Sequence, residues 1–81
     1  MENNDLTSTT SNIINVNEET FMSDVIEASK TKPVIVDFWA PWCEPCKTIT
    51  PLLEDSVKDY KQELILAKID IDQNQNIAAQ L

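Results

Sequence analysis

The stretch Val36-Asp37-Phe38-Trp39-Ala40-Pro41-Trp42-Cys43-Glu44-Pro45-Cys46-Lys47 decides how the rest of the chain is read. Its first half closes Val34–Trp39 (VIVDFW), a bulky apolar run after Pro33. Such a run predicts a strand covered on both faces and central in its sheet. Its second half opens a helix, because Pro45 in the first turn gives up a donor that no carbonyl would accept from. From Cys43 to about Lys61, the apolar residues Ile49, Leu52, Leu53, Val57 and Tyr60 recur at helical spacing. Cys46 falls on the same stripe through Ile49 and Leu53. Pro51 lies inside this helix and is expected to kink it. The only two cysteines therefore stand three apart at a strand-to-helix junction.

Working outward, Ile13–Val16 is a short β-branched run and a candidate first strand. Asn17 stands where an N-cap belongs, with Glu18 and Glu19 suited to the positive end of a helix. Phe21, Met22, Val25 and Ile26 keep helical spacing, and Lys30 and Lys32 close the segment. On the other side, Leu64–Ile71 (LILAKIDI) predicts a third strand. Asp72–Asn76 reads as a polar turn, and Ile77 and Leu81, four apart, open a third helix. The polar stretch from Met1 to Asn12 is too poor in apolar residues to offset its chain entropy. The expected organisation is thus a flexible extension over residues 1–12 and one α/β domain over 13–81. Its order, β-α-β-α-β plus the start of a third helix, implies a parallel sheet with right-handed crossovers.

Composition narrows the chemistry. The chain of 81 residues has no histidine, so Ser-His-Asp and Cys-His catalysis and imidazole metal ligation are excluded. It has no glycine, which removes phosphate-cradling loops. It has no arginine, which removes bidentate phosphate and guanine recognition. A formal charge of -8 without a basic cluster disfavours nucleic acid and anionic membrane as partners. The first twelve residues carry neither a lysine nor an apolar core, unlike a secretory signal, so a cytoplasmic location is expected.

Position gives the cysteine pair its chemistry. Free N–H groups and the macrodipole at a helix N-terminus stabilise a thiolate at the first cysteine. Residues i and i+3 meet across one turn, so the two sulfurs can approach bonding distance. Other roles are open to such a pair. A structural disulfide closing so short a loop supplies about 2 kcal/mol, less than longer loops give. Zinc needs about four ligands, which two cysteines without histidine do not complete, so no metal is expected. Two inert core thiols fit poorly at an exposed junction. Dithiol redox chemistry suits the context best.

The segment Val36–Lys47 resembles the active site of the thioredoxin family, with Glu44 where that family usually has glycine. The resemblance extends to Pro51 and to Ala67–Asp72 (AKIDID), and covers about Asn12 to Leu81. It implies a thioredoxin-like fold and a protein-disulfide reductase that holds no bound cofactor. In that scheme Cys43 is the exposed nucleophile and Cys46 the resolving thiol. Asp37, a lone carboxylate in an apolar strand, suits proton transfer with Cys46, and Lys68 holds the equivalent position in the next strand and tunes it. The alternative for Asp37 and Lys68 is a mutual structural ion pair. Trp42, Glu44 and Pro45 would contact substrate, while Trp39 belongs to the core. Glu44 repels the neighbouring thiolate and is expected to make Cys43 less acidic than glycine would.

The implied partners are disulfide-containing client proteins and a thioredoxin reductase, an NADPH-dependent flavoprotein. The family's domain continues with a cis-proline loop, two antiparallel strands and a last helix, which these residues do not include. The sequence is therefore expected to be part of a longer protein, or else to cover its apolar sheet edge by dimerisation or strand exchange. Ile65–Leu81 is also similar to a thioredoxin-like binding module of chaperone-type proteins with tetratricopeptide repeats. That module and a redox-inactive fragment are the competing readings.

Overall fold

A computed structural model describes residues 11–80 of the chain. The expected extension over residues 1–12 lies mostly outside them, but its last residue does not behave as a tail. Asn12 is buried, and its Nδ2 donates to the carbonyls of Val57 at 2.6 Å and Leu64 at 2.8 Å. A side-chain amide with two donors can bridge two carbonyls that would otherwise be stranded at the end of a helix and the start of a strand. Asn12 is thus part of the folded domain.

Strand β1 is Ile13–Asn15, β2 is Val34–Trp39 and β3 is Ile65–Asp70, one residue shorter at each end than LILAKIDI predicts. All pairs are parallel, in the order β1-β3-β2. Val34–Trp39, expected to be central, pairs within the described residues with β3 alone. Among the described residues β3 is central, and Leu66, Ala67 and Ile69 on it have no exposed surface.

The first helix, α1, is wound as a π-helix over Met22–Glu27 and tightens to 3-10 geometry over Ala28–Lys30. Asn17 caps its approach as expected: Oδ1 accepts from the N–H groups of Glu19 at 2.8 Å and Thr20 at 3.0 Å. Helix α2 is Glu44–Val57, followed by a 3-10 segment over Lys58–Glu63. Helix α3 is Gln75–Gln80, so it starts inside the predicted polar turn. Its buried Ile77 faces the core as expected, whereas Leu81 lies outside the described residues. The Glu18 carboxylate accepts from the Asn76 N–H at 2.9 Å, and Asn74 Oδ1 accepts from the Glu18 N–H at 2.9 Å, tying α3 to the loop after β1.

Strand alternation sorts the side chains into two layers. Val16, Val25, Ala67, Ile69 and Ile77 form the core with α1 and α3, and Val34 and Val36 pack against it. The intervening residues Asp37 and Trp39 of β2 and Lys68 of β3 turn to α2. The face that α2 presents is the predicted one at Cys46, Leu53 and Val57 only. Ile49, Leu52 and Tyr60 are exposed, while Val57 is buried and Cys46, Thr50, Leu53 and Glu54 are half-buried. The inward stripe runs Cys46–Thr50–Leu53–Val57, rotated from the purely apolar one, because two polar strand residues have to be met.

Lys61 has φ 52° and ψ −123°, the one positive φ among the described residues. A Cβ in that region costs about 1–3 kcal/mol. Lys61→Gly is expected to stabilise the protein by about 1 kcal/mol, after the entropy that glycine gains in the unfolded chain is subtracted. A urea unfolding midpoint no higher than that of the unmodified chain would contradict this.

Candidate active site

After Trp39 the chain turns through Ala40–Trp42 and enters α2, with the Cys43 N–H donating to the Ala40 carbonyl at 3.1 Å. Cys43 is the N-cap, in extended conformation, and Pro45 occupies the first turn. Cys43 and Cys46 are joined in a disulfide with their Cα atoms 5.3 Å apart. Cys43 Sγ accepts from the Cys46 N–H at 3.3 Å. This is the donor that would hold a thiolate at Cys43 in the reduced state, beside the positive end of α2. Both cysteines are half-buried. Cys46 Sγ lies 3.9 Å from the Phe38 carbonyl oxygen, which places the second sulfur near the end of β2.

Beside Cys46 is a cleft of about 310 Å³ between α2 and the sheet, with Trp39, Pro41, Thr50 and Lys68 in its walls. Asp37, 7% exposed, sits behind the Thr50 wall: Thr50 Oγ1 donates to Asp37 Oδ2 at 2.7 Å. Lys68 is the register partner of Asp37, on the same face of the sheet. The mutual ion pair considered for the two is not what forms. Lys68 Nζ bonds Glu54 Oε2 at 2.6 Å, because Glu54 lies one helical turn beyond Thr50 and faces β3. Each polar strand residue is thus met by its own partner from α2.

Trp42 is exposed, and its Nε1 donates to both carboxylate oxygens of Asp72, at 3.0 and 2.9 Å. Trp39 is half-buried and lines the cleft, with its Nε1 buried and without a partner among the described residues. Glu44 Oε2 pairs with Lys47 Nζ at 2.9 Å, on the solvent side of α2. The sequence signals missed Thr50, Glu54 and Asp72. The first two could have been found by extending the inward face of α2 from Cys46 in steps of four, which reaches both.

Glu44 carries its charge next to the sulfur that the helix end stabilises, and its Lys47 partner offsets only part of that repulsion. In the reduced protein, Glu44→Gly is expected to shift formation of the Cys43 thiolate to lower pH, read from thiolate absorbance. A titration unchanged or moved upward would show that the carboxylate does not oppose the thiolate.

Among the described residues, no group of three or more cysteine or carboxylate side chains could hold a metal ion, and no helix is long and apolar enough to cross a membrane. Comparison with known proteins matches residues 12–81 to the thioredoxin family model. The chain is 47% identical over 68 residues to the thioredoxin of Acidithiobacillus ferridurans, which covers 84% of this chain and 61% of that protein. With the thioredoxin of Pseudomonas aeruginosa it shares 45% over 64 residues, 79% of this chain and 57% of the relative. It is also 45% identical over 65 residues to the bifunctional thioredoxin reductase/thioredoxin of Mycobacterium leprae, covering 80% of this chain and 14% of that one. The chain thus spans 57–61% of the length of these two stand-alone thioredoxins. These relatives lend no support to the repeat-bearing branch that Ile65–Leu81 resembles. A match that runs through all three strands and the helix carrying both cysteines places the chain in the thioredoxin family.

Proposed function

We propose that the chain works as a thiol–disulfide oxidoreductase, or as the part of one that carries the dithiol. The observation that carries this is the Cys43–Cys46 disulfide at the N-terminus of α2, with a backbone N–H on the first sulfur and a cleft beside the second. In the reduced form, the Cys43 thiolate attacks one sulfur of a client disulfide. The bond between the client sulfurs breaks, a mixed disulfide forms, and the first client thiolate leaves and is protonated. Cys46 then attacks Cys43 Sγ, giving up its proton to Asp37. The mixed disulfide breaks, the second client thiol departs, and the intramolecular disulfide is left. Two electrons have passed to the client.

Lys68 acts in this scheme through the electrostatics of the α2-facing side of the sheet, with Glu54 balancing its charge. Trp42, anchored by Asp72, offers an apolar face to the client next to Cys43. Glu44 and Pro45 form the rim between the sulfurs. Returning the disulfide to the dithiol requires a two-electron donor, for which we infer an NADPH-dependent flavoprotein reductase. The relative whose name joins a reductase and a thioredoxin supports that pairing. A reducing compartment such as the cytoplasm fits a dithiol that has to be recharged.

The test is reduction of insulin disulfides with dithiothreitol as electron source. The protein is expected to accelerate reduction, and Cys43→Ser to return the rate to that of dithiothreitol alone. Cys46→Ser is expected to accumulate a mixed disulfide that gel electrophoresis resolves without reductant. Turnover that survives Cys43→Ser would overturn the proposal. Suppression of insulin aggregation without any turnover would favour a binding module instead.

A further inference from the structure

We infer that Thr50 is a positioning residue for the second half of the reaction: its hydroxyl holds the Asp37 carboxylate in the orientation that takes the proton from Cys46. The inference rests on the dithiol function proposed above and extends it to a residue outside the cysteine motif.

Three features of the structure support it. The first is the contact itself, Thr50 Oγ1 to Asp37 Oδ2 at 2.7 Å, within the range for a hydroxyl donating to a carboxylate. The terminal torsion of an aspartate is broad, and a carboxylate 7% exposed has little bulk water to orient it. A fixed donor therefore decides where its oxygens point. The second is placement. Thr50 is four residues after Cys46, hence on the same face of α2, and both line the cleft. Thr50 thus ties Asp37 to the face of α2 that carries Cys46. The cleft that Cys46 and Thr50 line has room for water beside them. The third is the choice of partner. An inward threonine in a helix can satisfy its hydroxyl on its own carbonyl four residues back. Here it crosses to the sheet instead.

The neighbouring charges have other commitments. Lys68 on β3 is paired to Glu54 of α2, and Lys47 is paired to Glu44 on the outer side. Asp70, two residues beyond Lys68 on the same face of β3, accepts from the Asp72 N–H.

The step concerned is the attack of Cys46 on the mixed disulfide. The Cys46 S–H bond breaks and its proton passes to Asp37, while its electron pair forms the bond to Cys43 Sγ. The bond from Cys43 to the client sulfur breaks, and that sulfur leaves as a thiolate. Loss of Thr50 lets the carboxylate rotate away, so this step slows whereas the first attack by Cys43 does not depend on it.

A symmetrical aromatic disulfide whose thiolates are chromogenic separates the two events, since one thiolate is released at each. In single turnover with the pre-reduced protein, Thr50→Val is expected to slow the second release roughly tenfold, a fraction of the contribution usual for proton transfer by a side chain. The first release is expected to stay within a factor of about two, a change too small to mark loss of proton transfer. Thr50→Ser, which keeps the hydroxyl, is expected to restore the second phase. Raising the pH is expected to narrow the gap, because Cys46 then ionises without a base. In an Asp37→Asn background, Thr50→Val is expected to add nothing, as for two residues acting through one contact. Thr50→Ala carries the same comparison if the valine variant does not fold. A second phase at the unmodified rate in Thr50→Val, or an equal slowing in the Asp37→Asn background, would overturn the inference while leaving the dithiol function intact. An unmodified protein that releases only one thiolate would instead overturn the dithiol function itself.

Discussion

The parallel ladder between β2 and β3, in register from Val34↔Ile65 to Trp39↔Asp70, is the constraint on which the rest depends. Register in a parallel pair fixes which side chains share a face. Here it sends Val34, Val36, Ala67 and Ile69 to the α1 and α3 side, and Asp37, Trp39 and Lys68 to the α2 side. A slip of one residue would turn the charged side chain of the slipped strand, Asp37 of β2 or Lys68 of β3, into the apolar core and an apolar neighbour toward α2. The ladder also sets where β2 ends. The turn after it brings the N-terminus of α2 to the carboxyl ends of the strands, where open α/β sheets place their reactive groups.

The polar residues that break the apolar strands make α2 specific to its place. An apolar helix could lie against a valine-rich face in several rotations, whereas Asp37 and Lys68 require a donor and a carboxylate one turn apart. Thr50 and Glu54 meet that demand. Cys46 occupies the next position on the same face, so the rotation that satisfies the sheet also turns the second sulfur inward. The packing that orients the helix and the chemistry at its end are thus linked through one stripe of side chains.

Much of this was legible in the sequence, and the failures share a cause. Val34–Trp39 was legible because a proline and a run of bulky residues mark a buried strand, and Cys43 at a helix start because Pro45 fits the first turn without losing a hydrogen bond. The place of β1 beside β3 was not legible, because an apolar run reports that a strand is covered but not which strand it pairs with. The rotation of α2 was legible only in part. Periodicity scores apolar residues, so Ile49 and Leu52 outweighed Thr50 and Glu54, whose partners are distant in sequence. Asn12 was hidden in the same way, since its two acceptors lie 45 and 52 residues away.

The absence of glycine, which first served only to exclude phosphate loops, has a structural counterpart in how the turns are made. Asn17 caps the approach to α1, Asp70 Oδ1 accepts from the Asp72 N–H in the turn after β3, and Asn74 Nδ2 donates to the Asp70 carbonyl. Side chains that bond to nearby backbone replace the conformational freedom that glycine would supply. Lys61 is the described position where that substitution leaves a positive φ unrelieved. Glu44 is a different case. It begins α2 and its φ is not positive, so no conformational demand for glycine exists there. The carboxylate between the cysteines therefore alters the site through its charge and its pairing with Lys47, and leaves the geometry that brings the sulfurs together unchanged.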